Sequence, residues 1–406
     1  MWEQIRSNQV RSVILLGLIA AILLAVGYFI GLIFFESAIG GLIIALVIWA
    51  IMSLVAYFQG DSILLGMAGA RKVGPSDAPR LYNVVEEMKI ASGLEKMPNV
   101  YVIDDPALNA FATGRDPTKA SVAITTGLLQ KLNRDELQGV IGHEISHIKN
   151  RDVLLMAITS VMLGTIVILA WYASRVLIFG GIAGGNRRSS SSSGGGGGAQ
   201  VIILIVGLVL MILAPIMAQF IYYAISRKRE YLADASSALY TRYPEGLASA
   251  LEKIGASTHQ LKKANQATAP MYIANPLNKE GRKLSDLTST HPPISERIKI
   301  LRAMAGGVSF TDYNSAYSQV HGRGGVLSKA AMGAVGAVGM RQASPSAPGE
   351  MALSEKAARS REVSDMMLKM DKYRIVDCPC GAKWKVPPGY TEDSIYCTRC
   401  GRTIKL

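Results

Sequence analysis

Two histidines one helical turn apart bracket a glutamate in LQGVIGHEISHIKNRDVLLMAIT, residues Leu137 to Thr159. The chain has only 5 histidines in 406 residues, so such a pair is a costly coincidence. On a helix His143 and His147 share a face. Two imidazoles so placed reach one zinc ion, and Glu144 beside the first holds the water that zinc polarises. A tetrahedral catalytic site takes three protein ligands and leaves the fourth position to water. A third histidine six residues after the second would fall on Val153, which excludes the metzincin pattern. The candidate third ligand is Glu230 in SRKREYLADA (Ser226–Ala235). Asp234, one turn later, would accept a hydrogen bond from a ligating imidazole and fix its tautomer. The bland alternative for this second segment is a solvated charged face beside a membrane.

The 4 cysteines form a second constellation. Cys378 and Cys380 make C-x-C, Cys397 and Cys400 make C-x-x-C, and Gly381 and Gly401 follow the pairs directly. Glycine there permits the left-handed turn that folds two sulfurs inward. Four thiolates in two knuckles resemble a zinc ribbon, a structural site. Two disulfides are the rival, disfavoured if the tail is cytoplasmic. The partner of the module is open between substrate, another protein and nucleic acid.

These groups need elements to position them. Half the residues are hydrophobic and the mean hydropathy is +0.25. Val13–Phe35, Ala38–Phe58, Val153–Ser174 and Val201–Ile225 are runs without Lys, Arg, Asp or Glu. Each reaches the roughly 20 residues a helix needs to cross a bilayer. The expectation is an integral membrane protein with four transmembrane helices, its first run retained as an anchor. The net charge of +13 gathers beside these runs, at Arg6, Arg11, Arg71, Lys72, Arg80, Arg227, Lys228 and Arg229. That pattern puts both termini and the catalytic part in the cytoplasm, at the cell membrane. Lipid headgroups are therefore the better reading of the basic charge, and nucleic acid the weaker one.

Between the runs, NVYVIDDP (Asn99–Pro106), NAFATGR (Asn109–Arg115) and SVAITTGLL (Ser121–Leu129) read as strands. Asn133 and Glu136 read as a capping box opening the helix of His143 and His147. GGNRRSSSSSGGGGG (Gly184–Gly198) is a flexible loop between the third and fourth runs. Those runs must form an antiparallel hairpin. His147 lies shortly before it and Glu230 shortly after it, so similar offsets bring the ligands to one level. The division expected is 1–60, two transmembrane helices; 61–152, the first part of the protease domain; 153–226, two more transmembrane helices; 227–308, its second part; 309–373, a linker; and 374–406, the cysteine module.

HEISHIKNRD, SRKREYLADA and THPPISERI (Thr290–Ile298), with paired spans between them, resemble the HtpX-type membrane heat-shock zinc metallopeptidases over about Met1–Ala303. The resemblance implies an α+β gluzincin-type domain on an α-helical membrane anchor, and a cytoplasm-facing endopeptidase for damaged or misfolded membrane proteins. It makes His143, His147 and Glu230 the ligands of a catalytic Zn2+ and Glu144 the general base. Related prenyl-protein proteases use the His-Pro motif on the tetrahedral oxyanion, which implies that role for His291 with Arg297. NAFATG, that is Asn109, Ala110, Phe111, Ala112, Thr113 and Gly114, becomes the edge strand that pairs with substrate backbone.

Three other functions compete. A non-catalytic membrane scaffold or zinc sensor would leave Glu144 without purpose. An intramembrane protease needs the histidines inside a span, whereas Lys149, Asn150, Arg151 and Asp152 separate them from it. A prenyl-protein protease shares the chemistry, but four spans enclose a lipid tail poorly.

Overall fold

A computed structural model describes residues 37–154, 227–264, 268–276, 291–304, 307–322, 324–327, 338–344 and 353–406, with 20–29 and scattered neighbours before them and Met156. The third and fourth apolar runs and the Ser/Gly loop lie outside the described residues, apart from the first residues of the third run.

Helix α1 (Ala38–Ala68) starts at Ser37, whose hydroxyl accepts from the Gly40 N–H, and stops at Gly69 in a left-handed conformation. Its most apolar 18-residue window has mean hydropathy 2.6 and is only 11% buried, so among the described residues most of its apolar side chains are left uncovered. At 1.5 Å per residue it is about 46 Å long, beyond the roughly 30 Å of a hydrocarbon core. The excess is its last turns, where Leu64, Leu65 and Ala68 are buried in an apolar cluster with Phe111 and Tyr272. It is the one described helix long and apolar enough to cross a membrane; a shorter apolar helix, Ala20–Phe29, precedes it. The two meet through small residues. A Cβ on Gly41 would lie 2.2 Å from the Gly27 carbonyl oxygen and 2.5 Å from the Gly31 Cα. Such small-residue contacts let membrane helices pack backbone to backbone.

Beyond α1 come β1 (Ala70–Lys72), α2 (Pro79–Ser92), β2 (Asn99–Ile103), β3 (Ala110–Gly114), β4 (Ala120–Thr125), α3 (Thr126–Lys131) and α4 (Arg134–Lys149). The sheet order is β1-β2-β4-β3; β2 and β4 are parallel and the other pairs antiparallel, which leaves β3 at an edge. The run expected as one strand to Leu129 breaks at Thr125, whose hydroxyl accepts from the Leu128 N–H and starts α3. The three-residue β1 carries no alternating pattern that would mark it in the sequence.

Helix α5 (residues 227–241), α6 (Pro244–Gly255), α7 (Ile294–Arg302) and α8 (Phe310–His321) complete the body. One apolar core joins Val122, Ile124, Val140, Ile141, Leu251, Ile300 and Tyr313. Helix α9 (Leu353–Met370) adds Val363 and Met366 to it and lays the buried Arg359 on the Leu132 carbonyl. The segment 309–373 expected as a linker therefore contains two helices packed on the body. Tyr313 and Met366 are apolar anchors spaced too irregularly among Ser, Gly and charged residues to announce that burial.

The tail forms two hairpins, β5 (Arg374–Asp377) with β6 (Lys383–Val386) and β7 (Ser394–Tyr396) with β8 (Thr403–Lys405). Lys385 pairs with Asp365 at 3.1 Å, tying the first hairpin to α9.

Candidate metal centre

Helix α4 opens with the expected reciprocal cap: Asn133 Oδ1 accepts from the Glu136 N–H at 2.8 Å, and Glu136 accepts from the Asn133 N–H at 2.7 Å. Its glycines set how near its neighbours come. A Cβ on Gly139 would lie 2.6 Å from the Leu247 nitrogen of α6, and one on Gly142 3.1 Å from the Ser237 hydroxyl of α5. Ser237 donates to the Gly139 carbonyl at 2.6 Å, which fixes α5 in register against α4. One turn and two turns earlier on α5 stand Asp234 and Glu230.

That register brings His143, His147 and Glu230 together, with one potential ligand atom from each within 4.8 Å of the others. The two Nε2 atoms are 3.2 Å apart, and they lie 3.5 Å and 3.4 Å from the two Glu230 oxygens. Each imidazole gives its other nitrogen to a carboxylate: His143 Nδ1 to Asp234 at 3.0 Å, His147 Nδ1 to Asp152 at 3.2 Å. With the Nδ1 protons committed there, both Nε2 lone pairs and both Glu230 oxygens face one small volume. Acceptors crowded into so small a volume repel one another unless a proton or a metal cation lies between them. Neutral imidazole and carboxylate are the donors zinc takes. The donor set fits zinc.

All these groups are buried: His143 is 0% exposed, Glu144 1%, Glu230 2% and His147 4%. Burial works against charge on His147, yet Asp152 and Glu230 outweigh it and push its pKa up to about 10. Burial likewise opposes charge on His143, and Asp234 and Glu230 raise it. Burial opposes the Glu230 anion too, but His291, His143 and His147 hold it well below its ordinary value. Glu144 differs: burial raises it, and neither carboxylate oxygen has a hydrogen-bond partner.

His291 enters just before α7, with Nε2 3.6 Å from Glu230. Burial, with Arg297 and the other two imidazoles beyond Glu230's opposing pull, lowers it to about 4, so it is neutral near pH 7. Arg297, expected to act on an oxyanion, lies at the site with Nη1 3.7 Å from Glu230, and it donates to Asp234 and to backbone. It is 0% exposed; Nε and Nη2 donate to the two Asp234 oxygens at 2.8 Å and 2.6 Å, and Nη1 donates to the Ile273 carbonyl at 3.0 Å. A buried guanidinium so engaged braces the carboxylate that orients His143. Its position after HPP in the sequence gives no hint of that engagement.

Asp152 is the residue that sequence reasoning misses. It reads as one of four polar residues fencing the motif from the membrane, yet it is 1% exposed and turned back onto His147. The turn is made by Arg151, a non-glycine residue at φ 59. Of Asn109–Gly114, Ala110–Gly114 form the edge strand and are all buried, and Asn109 stands just before it. Residues of the chain itself lie along it: Phe111 bridges to Tyr272, and the Ile273 N–H donates to the Ala110 carbonyl at 2.9 Å.

In the tail the four cysteines are unpaired as disulfides and their sulfurs converge, Cys378 to Cys400 at 3.5 Å and Cys380 to Cys397 at 3.7 Å. Sulfurs bound to one zinc at about 2.3 Å sit about 3.8 Å apart on a tetrahedron. Gly381 (φ 83) and Gly401 (φ 73) turn each knuckle, their N–H groups on the Cys378 and Cys397 carbonyls. Burial opposes the Cys397 thiolate, but the backbone N–H groups of Cys400 and Arg399 bring it down to about 6.

Residues 75–305 match Peptidase family M48. The chain is 45% identical over 303 residues to a "Protease HtpX homolog" of Dictyoglomus turgidum, covering 75% of this chain and 94% of that protein. A "Protease HtpX homolog" of Caldanaerobacter subterraneus subsp. tengcongensis is 45% identical over 304 residues, 75% of this chain and 98% of it. One of Streptococcus pneumoniae is 44% identical, with 75% and 100% covered. Among solved structures, "Crystal Structure of S. mikatae Ste24p" matches at 21% identity and TM-score 0.39, over 74% of this chain and 67% of that one. With the matched span running through His143, Glu144, His147, Glu230, His291 and Arg297, the chain belongs to peptidase family M48 and is a membrane zinc metallopeptidase.

Proposed function

We propose that the chain is a cytoplasm-facing endopeptidase of a cell membrane, anchored by four spans, that hydrolyses peptide bonds of misfolded or damaged membrane proteins. His143, His147 and Glu230 hold the catalytic zinc, and the four cysteines hold a second, structural one. The observation that carries this reading is a buried Glu144 with two unpartnered oxygens beside a set of converging lone pairs. A closed structural site has no use for such a group. Zinc bound there would polarise a scissile carbonyl and acidify a water. Glu144, its basicity raised by burial, takes the proton of the attacking water and passes it to the departing amine. His291, neutral near pH 7, is placed to donate a hydrogen bond to the oxyanion as it develops. Arg297 acts at one remove, holding Asp234 on His143.

The test is Glu144→Gln in full-length, zinc-loaded protein. Zinc content should stay at the wild-type level, because the substitution removes no ligand, while peptide hydrolysis drops by about 100-fold or more. Near-normal turnover by the pure variant would remove Glu144 from the mechanism. The same variant kept in native membranes should retain its substrates for identification. If it retains soluble folded proteins in place of membrane proteins, the proposed substrate class is wrong.

A further inference from the structure

We propose that Tyr272–Ala274, the segment that leaves the 3-10 turn of Ala269–Met271, is lodged in the chain's own peptide-binding slot, and that substrate enters by replacing it as an extended segment. The inference rests on the peptidase reading and adds the regulation and the substrate form of that site. β3 is the sheet edge beside α4, and its Ala110 carbonyl points outward to accept from the Ile273 N–H at 2.9 Å. The antiparallel bridge of Phe111 with Tyr272 sets Met271 opposite Ala112. Two side chains complete the hold. The Asn109 carboxamide donates to the Ala274 carbonyl at 2.9 Å, and Arg297 donates to the Ile273 carbonyl at 3.0 Å.

An edge strand, an amide and a guanidinium are what an extended peptide needs for backbone pairing by strand addition. Here all three are satisfied by the protein's own backbone, against a catalytic group that is 1% exposed. No incoming peptide shares them while the segment stays. Among the described residues a single isolated bridge joins the segment to the sheet, in contrast to the five-residue register of β3 with β4, so exchange for a substrate strand breaks few ladder hydrogen bonds. A replacing chain must itself be extended and unpaired, which selects unfolded segments over folded surfaces. Tyr272, 1% exposed, packs edge-on to Phe111 at 5.0 Å within the cluster of Leu64, Leu65, Ala68 and Leu261. A substrate side chain that takes its place meets the same apolar surroundings, so a large apolar residue is favoured there.

Phe111 and Tyr272 lie directly opposite, a separation that a disulfide spans. The double variant Phe111→Cys/Tyr272→Cys, in the zinc-loaded full chain, should hydrolyse a short unstructured peptide about 10-fold more slowly when oxidised than after mild reduction, because the lock removes the open state. The two single-cysteine chains control for the four native cysteines and should respond to neither treatment. Equal rates in the two states of the double variant overturn the inference and leave the peptidase reading standing. Tyr272→Ala loosens the segment without a cross-link, and its kcat/KM on the same peptide should rise by about 3-fold or more as the open fraction grows. An unchanged or lower value makes the segment a fixed strand of the fold and overturns the inference. A zinc-loaded wild-type chain that cleaves no peptide removes the peptidase reading and this inference together.

Discussion

Replacing Asp152 by Ala isolates what one carboxylate contributes to the metal. It holds His147 Nδ1 at 3.2 Å and is 1% exposed. Loss of such a partner weakens metal binding by about 10- to 100-fold, or about 1.4–2.7 kcal/mol. The measured loss depends on pH, and its sign follows from the competing proton. Asp152 helps to push His147 up to about 10, so in wild type a proton and zinc contend for Nε2 throughout the neutral range. Removing Asp152 weakens both rivals. Below the variant's own His147 pKa the two effects offset, and the apparent loss of zinc affinity is small. As pH rises past that pKa the variant has no proton left to shed while wild type still has one. The gap therefore widens toward its full value as pH approaches the wild-type pKa of about 10. Zinc titration against a competing chelator at about pH 6.5, 8 and 9.5, with thermal unfolding of the metal-free proteins as control, reads this directly. A loss that is flat with pH, or affinity within about 2-fold of wild type at the highest pH, would refute the reasoning, since it would mean that Asp152 leaves the ligand's basicity unchanged.

The partner on the other imidazole should behave differently. Arg297→Gln leaves Asp234 buried without its guanidinium, and urea unfolding of the metal-free body should show a loss of about 3–5 kcal/mol, in contrast to Asp152→Ala. Changing Cys397 and Cys400 to Ser should lower zinc from two ions per chain to one and expose the tail to protease. A module of 33 residues (374–406) is too small for a self-sufficient apolar core. Peptide hydrolysis should remain, because the body keeps its own core; a single zinc in fully metallated wild type would contradict the pair of sites. Gly41→Leu would drive a side chain into Gly27 and Gly31 and should lower the yield of folded protein in membranes, while Gly66→Leu, with open space around its position, should not.

The parts of the site legible in the sequence are those set by local rules. Helix α4 announces itself through Asn133 and Glu136, whose hydrogen bonds close within three residues, and His143 and His147 follow from helical spacing alone. Glu230 is reachable because His147 and Glu230 stand at similar offsets from the two ends of the expected pair of spans. What stays hidden depends on contacts that span the chain or on unusual backbone. Asp152 reads as solvated because a helix continued past Lys149 would carry it away from His147; the left-handed turn at Arg151 reverses that, and arginine gives no sign of φ 59. Arg297 reads as an oxyanion donor because only its distance from His291 is visible, whereas 63 residues separate it from the Asp234 it binds. The strand ending at Thr125 shows the reverse case, in which one hydroxyl capturing the Leu128 N–H overrides an apolar run.

Asp152 and Asp234 also explain why the ligands are split across the sequence. Asp152 is the last polar residue before the third apolar run, and Glu230 and Asp234 follow the fourth. His147 therefore takes its orienting carboxylate from the sequence just before those two runs, and His143 takes its own from the sequence just after them. Glu230, also from the sequence after them, reaches both Nε2 atoms. His143 lacks its orienting carboxylate, and the third donor is missing, until α5 stands beside α4. Zinc binding at this site is thus coupled to the docking of α5 on α4. A chain in which α5 has not docked on α4 lacks Glu230 and the brace of Asp234 on His143, and with them the geometry to activate water.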